Sequence, residues 1–194
     1  SSDQLELSAG WGGLIGLTGT LGITFNNFST RNILKKDSWR PLPSGDGQRL
    51  SLRVQSNGPS FSSQNFSFTE PWLGGKKRNN LTVSLFRTKL ANAFDPFTGL
   101  PLRQRADAQF LRTFGATVSL GKQLKWPDDF FNLITSVNYT QYKLKDYQLF
   151  PEIRDGNSNN FNLRVQLIRS SVDQPTFPRS GSTFSLTASF TPPW

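Results

Sequence analysis

The stretch Ile15-Gly16-Leu17-Thr18-Gly19-Thr20-Leu21-Gly22-Ile23-Thr24-Phe25-Asn26 decides the fold. Its odd positions read Ile15, Leu17, Gly19, Leu21, Ile23 and Phe25, and its even positions Gly16, Thr18, Thr20, Gly22, Thr24 and Asn26. A period of two sends successive side chains to opposite faces of a β-strand. A soluble strand runs about 5–6 residues, whereas a tilted strand crossing a bilayer needs about 9–11. This run is long enough for the second. The rhythm recurs in Leu5, Leu7, Ala9 and Trp11, in Leu50, Leu52 and Val54, in Phe66 and Phe68, and in Leu81, Val83 and Leu85. It returns in Phe110, Phe114, Ala116, Val118 and Leu120, then in Phe131, Leu133, Val137 and Tyr139. Phe161, Leu163, Val165 and Leu167, and then Phe184, Leu186, Ala188 and Phe190, complete it. About nine strands and no amphipathic helix make the chain all-β.

The punctuation predicts an antiparallel up-and-down meander. Gly12-Gly13 suits a tight first hairpin, and Asn57-Gly58-Pro59 marks a turn, because Pro59 has no amide for a central ladder. Longer connections are expected over Ala91–Ala108 and Lys145–Asn160. If the register is right, the odd series Ile15–Phe25 shares a face with Leu52, Phe66, Phe114, Val165 and Leu186.

Composition narrows what such a sheet does. The 194 residues hold no His and no Cys, which removes Ser-His-Asp and Cys-His nucleophile systems, disulfides and thiolate metal sites. Asp128 and Asp129 are adjacent, so their side chains diverge, and no glycine-rich phosphate loop follows a strand. Neither catalysis, a cofactor nor a metal is expected. No run of about 18 apolar residues is present, which excludes a transmembrane helix but leaves a transmembrane barrel open. Lys and Arg outnumber Asp and Glu by 22 to 13, so anionic partners are favoured. A soluble nucleic-acid binder would set its basic residues beside aromatics on one face. Here the aromatics alternate with Ser and Thr, and nucleic acid is not expected. Without Met, the chain is expected to be a piece of a longer one.

Alternation alone does not say whether the apolar face meets a core or lipid. The polar face does. It is Ser, Thr, Asn, Gln and Gly with Arg49, Arg53 and Arg164 among them, which suits a hydrated lumen better than a surface in bulk water. Strands that alternate up and down put every second connection on one rim, and the second, fourth and sixth connections hold Trp39, Trp72 and Trp126. Tryptophan is enriched where hydrocarbon meets headgroups, so these three are expected to mark a membrane interface. Arg31, Lys35, Lys36 and Arg40, then Lys76, Lys77 and Arg78, then Lys122 and Lys125 add a basic fringe to the same rim. Such a fringe would contact anionic lipid or a partner protein.

The stretch Phe68-Thr69-Glu70-Pro71-Trp72-Leu73-Gly74 resembles the strand-end signature of BamA-type outer-membrane assembly barrels. Asp173-Gln174-Pro175-Thr176-Phe177-Pro178-Arg179-Ser180-Gly181 resembles a later turn of the same family, and Leu5–Gly16 and Asn26-Asn27-Phe28 fit its first hairpin. The motif residues singled out are Phe68, Glu70, Pro71, Trp72 and Gly74. The resemblance implies that residues 1–194 are roughly the first nine of sixteen strands of a transmembrane β-barrel in a bacterial outer membrane. Periplasmic repeat modules and closing strands would then lie outside the chain, and the barrel would not close by itself. It implies a factor that folds and inserts other barrel proteins, with nascent outer-membrane proteins, accessory assembly subunits and outer-membrane lipid or lipopolysaccharide as partners. The incoming strand would pair with a weakly sealed first strand, here Gln4, Leu5, Glu6, Leu7, Ser8, Ala9, Gly10 and Trp11. Small Ser8, Ala9 and Gly10 offer little side-chain grip to a seam. A short apolar belt that disorders lipid is a further implication of the family. The alternative is a passive pore or secretion channel whose arginines select anions.

Overall fold

The computed structural model describes residues 3–12, 16–39, 42–75, 79–92, 107, 109–147, 155–173, 176, 179–192, with backbone only at 12 and 16. Strands β1 (Gln4–Gly12), β2 (Gly16–Phe28), β3 (Gln48–Asn57), β4 (Phe61–Glu70) and β5 (Asn79–Ala91) follow in order. Then come β6 (Phe110–Gln123), β7 (Phe131–Lys145), β8 (Gly156–Ser170) and β9 (Thr183–Phe190). They form one antiparallel sheet in sequence order, β1 to β9, the expected meander. Two 3-10 turns, Lys36–Ser38 and Leu73–Gly75, punctuate the connections, and among the described residues no helix is long and apolar enough to cross a membrane.

The register puts the apolar residues on one face. Directly opposed residues of an antiparallel pair share a face. Leu5 lies opposite Ile23, Ile23 opposite Leu52, Leu52 opposite Phe66, and Phe66 opposite Leu85. The series continues through Ala116, Tyr139 and Phe161. Leu21 connects through Val54, Gln64 and Arg87 to Phe114, while Val165 and Leu186 belong to the same face through Ala188 and Leu167. The expected co-facial set therefore holds for every described member; Ile15 lies outside the described residues.

Among the described residues no second layer covers this face. The buried apolar side chains among them are Ala91, Phe110 and Pro43 of the β2–β3 connection, while Leu7, Leu17, Leu52, Val118, Leu186 and Phe190 are all exposed. A soluble sandwich of this size would hide such residues between two sheets. The opposite face is knit by short polar side chains: Thr24 with Ser51 (3.0 Å), Ser67 with Ser84 (3.3 Å), Thr69 with Thr82 (3.2 Å) and Ser119 with Ser136 (2.8 Å). Arg53, Asn65, Phe86 and Gly115 share it.

Two connections differ from the sequence reading or refine it. The expected Lys145–Asn160 connection is shorter, because Gly156–Asn160 already belong to β8 and pair with Thr140–Leu144 of β7. These residues are polar on both faces, so nothing in their pattern announces a strand; the long β7 beside them supplies the pairing. The turn Gly58–Ser60 stands where Asn57-Gly58-Pro59 placed it, with Gly58 at φ 58° and its amide bonded to the Leu17 carbonyl at 3.0 Å.

On the polar face Phe86 lies flat across Gly115, so closely that a Cβ there would fall 2.1 Å from the ring. The aromatic ring takes the place of the missing side chain and covers backbone that glycine leaves bare. Replacing Gly115 by Val is expected to cost about 1–3 kcal/mol through overpacking. The second change Phe86→Ala should recover most of that loss, measured by urea unfolding of the folded protein in lipid.

Candidate functional site

The first strand is the edge of the sheet. Among the described residues its outer backbone groups face no strand, and β9 presents the other, non-equivalent edge. On β1, Leu5, Leu7, Ala9 and Trp11 stand on the apolar face, and Gln4, Glu6, Ser8 and Gly10 on the polar face; all eight are exposed. Pairing with β2 is continuous, from Gln4 opposite Thr24 to Gly12 opposite Gly16. Side-chain grip is slight at its centre, where Ala9 faces Gly19 and Gly10 faces Thr18. Thr18 Oγ1 donates to the Gly10 carbonyl at 3.3 Å. One brace skips a strand: Arg53 on β3 reaches over Gly22 to Glu6 at 3.1 Å, a half-exposed ion pair of modest worth. Arg49 and Arg164 lie on the same polar face as Arg53, opposite Thr69 and Ser136 respectively.

The motif around Glu70 is a structural junction. Glu70 ends β4, and its carboxylate accepts both the Trp72 amide (3.0 Å) and Gln48 Nε2 (2.5 Å). Gln48 opens β3 and is 2% exposed; its Oε1 accepts the Thr30 amide at 2.8 Å, and its Nε2 also donates to Thr30 Oγ1. Ser29 beside it is fully buried and donates to Asp46 at 2.6 Å. Glu70 therefore ties the turn after β4 to the start of β3 and, through Gln48, to the end of β2. Phe68 meets Phe28 edge-on, with centroids 6.4 Å apart. Pro71 and Trp72 form the turn, and Gly74 sits at φ 73°, where a Cβ is strained. The later motif is similarly stapled: Asp173 Oδ1 accepts the amides of Arg179 (2.9 Å) and Ser180 (3.2 Å). Pro175, Phe177 and Pro178 of that motif lie outside the described residues. Sequence reading found Glu70 but not Gln48, whose signal is weak: a polar residue behind Gly45-Asp46-Gly47.

The meander places Trp39, Trp72 and Trp126 on one rim, each exposed, Trp126 at 83%. Trp39 Nε1 donates to the Ile33 carbonyl at 3.3 Å. Arg31, Lys35, Lys36, Lys122 and Lys125 lie near the same rim; Arg40, Lys76, Lys77 and Arg78 are outside the described residues. The next connection is anchored by Arg169, whose guanidinium holds the Asp128 carboxylate at 3.0 Å.

The apolar band on the exposed face varies in height. At about 3.4 Å per residue, Leu17–Phe25 on β2 spans about 27 Å, while Leu50–Val54 and Leu81–Leu85 span about 14 Å each. On β4 only Phe66 and Phe68 lie between Gln64 and Glu70, about 7 Å apart. On the edge strand Leu5–Trp11 covers about 20 Å. The shortest belt is thus at β4, away from the first strand.

A long antiparallel meander with one bare apolar face, a hydroxyl-lined opposite face and tryptophans on one rim has few homes. The model of the Omp85 superfamily domain matches residues 44–193. The chain belongs to the Omp85 superfamily. It is an outer-membrane β-barrel chain of that superfamily. Among solved structures it is similar to BamA from Haemophilus ducreyi, crystallised without POTRA domains 1-3, at 20% identity and a TM-score of 0.53. The match covers 98% of this chain and 34% of that one, so this Omp85 chain spans about a third of that relative's length and shares its barrel fold. No curated protein matches in sequence.

Two outcomes are expected. Leu21→Arg, in the middle of β2, should cost about 2–4 kcal/mol for folding into lipid, as for a cation at mid-bilayer. Glu70→Ala should cost about 1–3 kcal/mol by stripping a partner from buried Gln48, read as a lower unfolding midpoint with an unchanged m-value.

Proposed function

We propose that this Omp85 chain is the N-terminal half of a barrel that folds and inserts other β-barrel proteins, receiving the client's strand at the outer edge of β1. The observation that carries this reading is β1 itself: an apolar-outward strand whose free backbone edge runs from Gln4 to Trp11. An exposed edge is a template for strand addition, in which main-chain hydrogen bonds give affinity without demanding a particular client sequence. In hydrocarbon the drive is stronger, because unpaired amides and carbonyls there have no water to turn to. Small Ser8, Ala9 and Gly10 keep the middle of the edge free of bulky side chains. Trp39, Trp72 and Trp126 would fix the barrel's height at one interface, and Arg49, Arg53 and Arg164 would line its wet interior. Nascent outer-membrane proteins are the proposed clients, and accessory subunits and membrane lipid the proposed partners. Glu70 and Gln48 act as scaffold, keeping the rim between β2 and β4 rigid beside the edge.

These 194 residues contribute no cysteine of their own to the cross-linking test. Single cysteines at Leu5, Leu7 and Ala9 of the whole protein, and at Val165 in β8 as control, are paired with cysteines along the terminal strands of a client barrel during its insertion. Disulfides should form from the β1 positions at client residues spaced by two, and not from Val165. Normal client insertion with no β1 cross-link at any register would overturn the reading in favour of a passive channel.

A further inference from the structure

The apolar face carries an unexpected row. Lys89 on β5 lies directly opposite Arg112 on β6, which lies directly opposite Lys143 on β7. All three share the face of Leu85, Ala116 and Val137, two positions beyond the row of Arg87, Phe114 and Gln141. Directly opposed residues have Cβ atoms about 4.5–5.5 Å apart, and like charges so placed repel. A sheet does not gain stability from three such cations in line. Among the described residues Asp107 alone offsets part of this charge. Asp107 holds Lys89 at 2.8 Å, and that ammonium keeps the Asp107 carboxyl below its ordinary range, first through the hydrogen bond and then through charge. Among the described residues, no carboxylate forms an ion pair with Arg112 or Lys143. Asp146 and Asp155 near this rim are engaged elsewhere: Asp146 accepts from Gln109 Nε2 (2.9 Å), and Asp155 from the Asp146 amide (2.8 Å).

The row is nevertheless held in place. Phe110, 6% exposed, lies beneath it, with the Arg112 guanidinium 4.8 Å and Lys89 Nζ 5.6 Å from its ring centroid. Arg112 Nε is buried without a hydrogen-bond partner. A guanidinium stacked on an aromatic ring, with a lysine on each side, suits a tetrahedral oxyanion, which takes hydrogen bonds from the terminal guanidinium nitrogens and flanking point charges. We infer that Lys89, Arg112 and Lys143 bind the phosphate group of an anionic membrane lipid, one whose headgroup carries no compensating cation. The place selects lipid over a free anion: past the next row, where Arg87 and Gln141 flank Phe114, the same face turns apolar through Leu85, Ala116 and Val118, where acyl chains attached to that phosphate would lie. The inference rests on the apolar face being the membrane face. It concerns the rim opposite the tryptophans, so it is independent of strand capture at β1.

The test uses the whole protein in two vesicle types, phosphatidylcholine alone and phosphatidylcholine with phosphatidic acid. Variants are Arg112→Gln, Arg112→Lys and Lys143→Gln, with Arg164→Gln on the polar face as control. Retention of phosphatidic acid, read by native mass spectrometry from detergent, should fall about tenfold or more for Arg112→Gln and Lys143→Gln, the loss of charge-assisted bonds. Arg112→Lys should fall between, and Arg164→Gln should match the parent. In phosphatidylcholine alone, Arg112→Gln should unfold no more easily than the parent, since repulsion is relieved; with phosphatidic acid present it should unfold more easily. Equal retention across the variants would overturn the inference, as would inorganic phosphate displacing the lipid at equal concentration, which would make this a site for free anions. If Leu21→Arg carries no penalty in lipid, the membrane reading fails instead; a penalty there with no effect at Arg112 leaves that reading standing and removes only the lipid site.

Discussion

A strand that crosses hydrocarbon must give every amide and carbonyl a partner, and only a neighbouring strand supplies one. That requirement dictates continuous ladders such as those joining β5 to β6 and β6 to β7, which run the full length of the strands. It also dictates chemistry. With the backbone committed to the ladder, side chains alone decide which face meets lipid, so a one-residue slip would reverse the whole sheet. The hydroxyl pairs on the opposite face and the packing of Phe86 on Gly115 are register markers as much as bonds, because both form only between one particular pair of residues.

The same requirement gives the edge strand its meaning. Interior strands such as β4 and β5 are satisfied on both sides, whereas β1 is satisfied on one. Its side chains add little: Ala9 opposite Gly19 has almost no surface to contribute, and the Glu6–Arg53 brace is half-exposed. Backbone pairing is therefore the dominant interaction there, and it is sequence-tolerant by nature. Recognition through the main chain is what the proposed capture of a client strand would require.

The alternation from Leu17 to Phe25 carried the face assignment, and the turn residues Asn57 and Gly58 carried the topology, because both signals are local. What escaped the sequence depends on neighbours. Gly156–Asn160 is a strand only because β7 is long enough to pair with it. Gln48 is buried only because Glu70 at the end of β4 and Thr30 in the connection after β2 converge on it. Lys89, Arg112 and Lys143 are scattered in sequence and become a row only once three registers are known. Glu70 was legible as a motif residue, yet its task of joining β2, β3 and β4 needed the hydrogen bonds.

The uneven height of the greasy band has a consequence for the bilayer. A flat membrane of one thickness cannot match a wall that is about 27 Å tall at β2 and about 7 Å at β4. Either the lipid beside β4 would thin, or the sheet would tilt so that this sector meets headgroups. Each response would bend the leaflet beside one sector of the sheet and sort the neighbouring lipids by chain length.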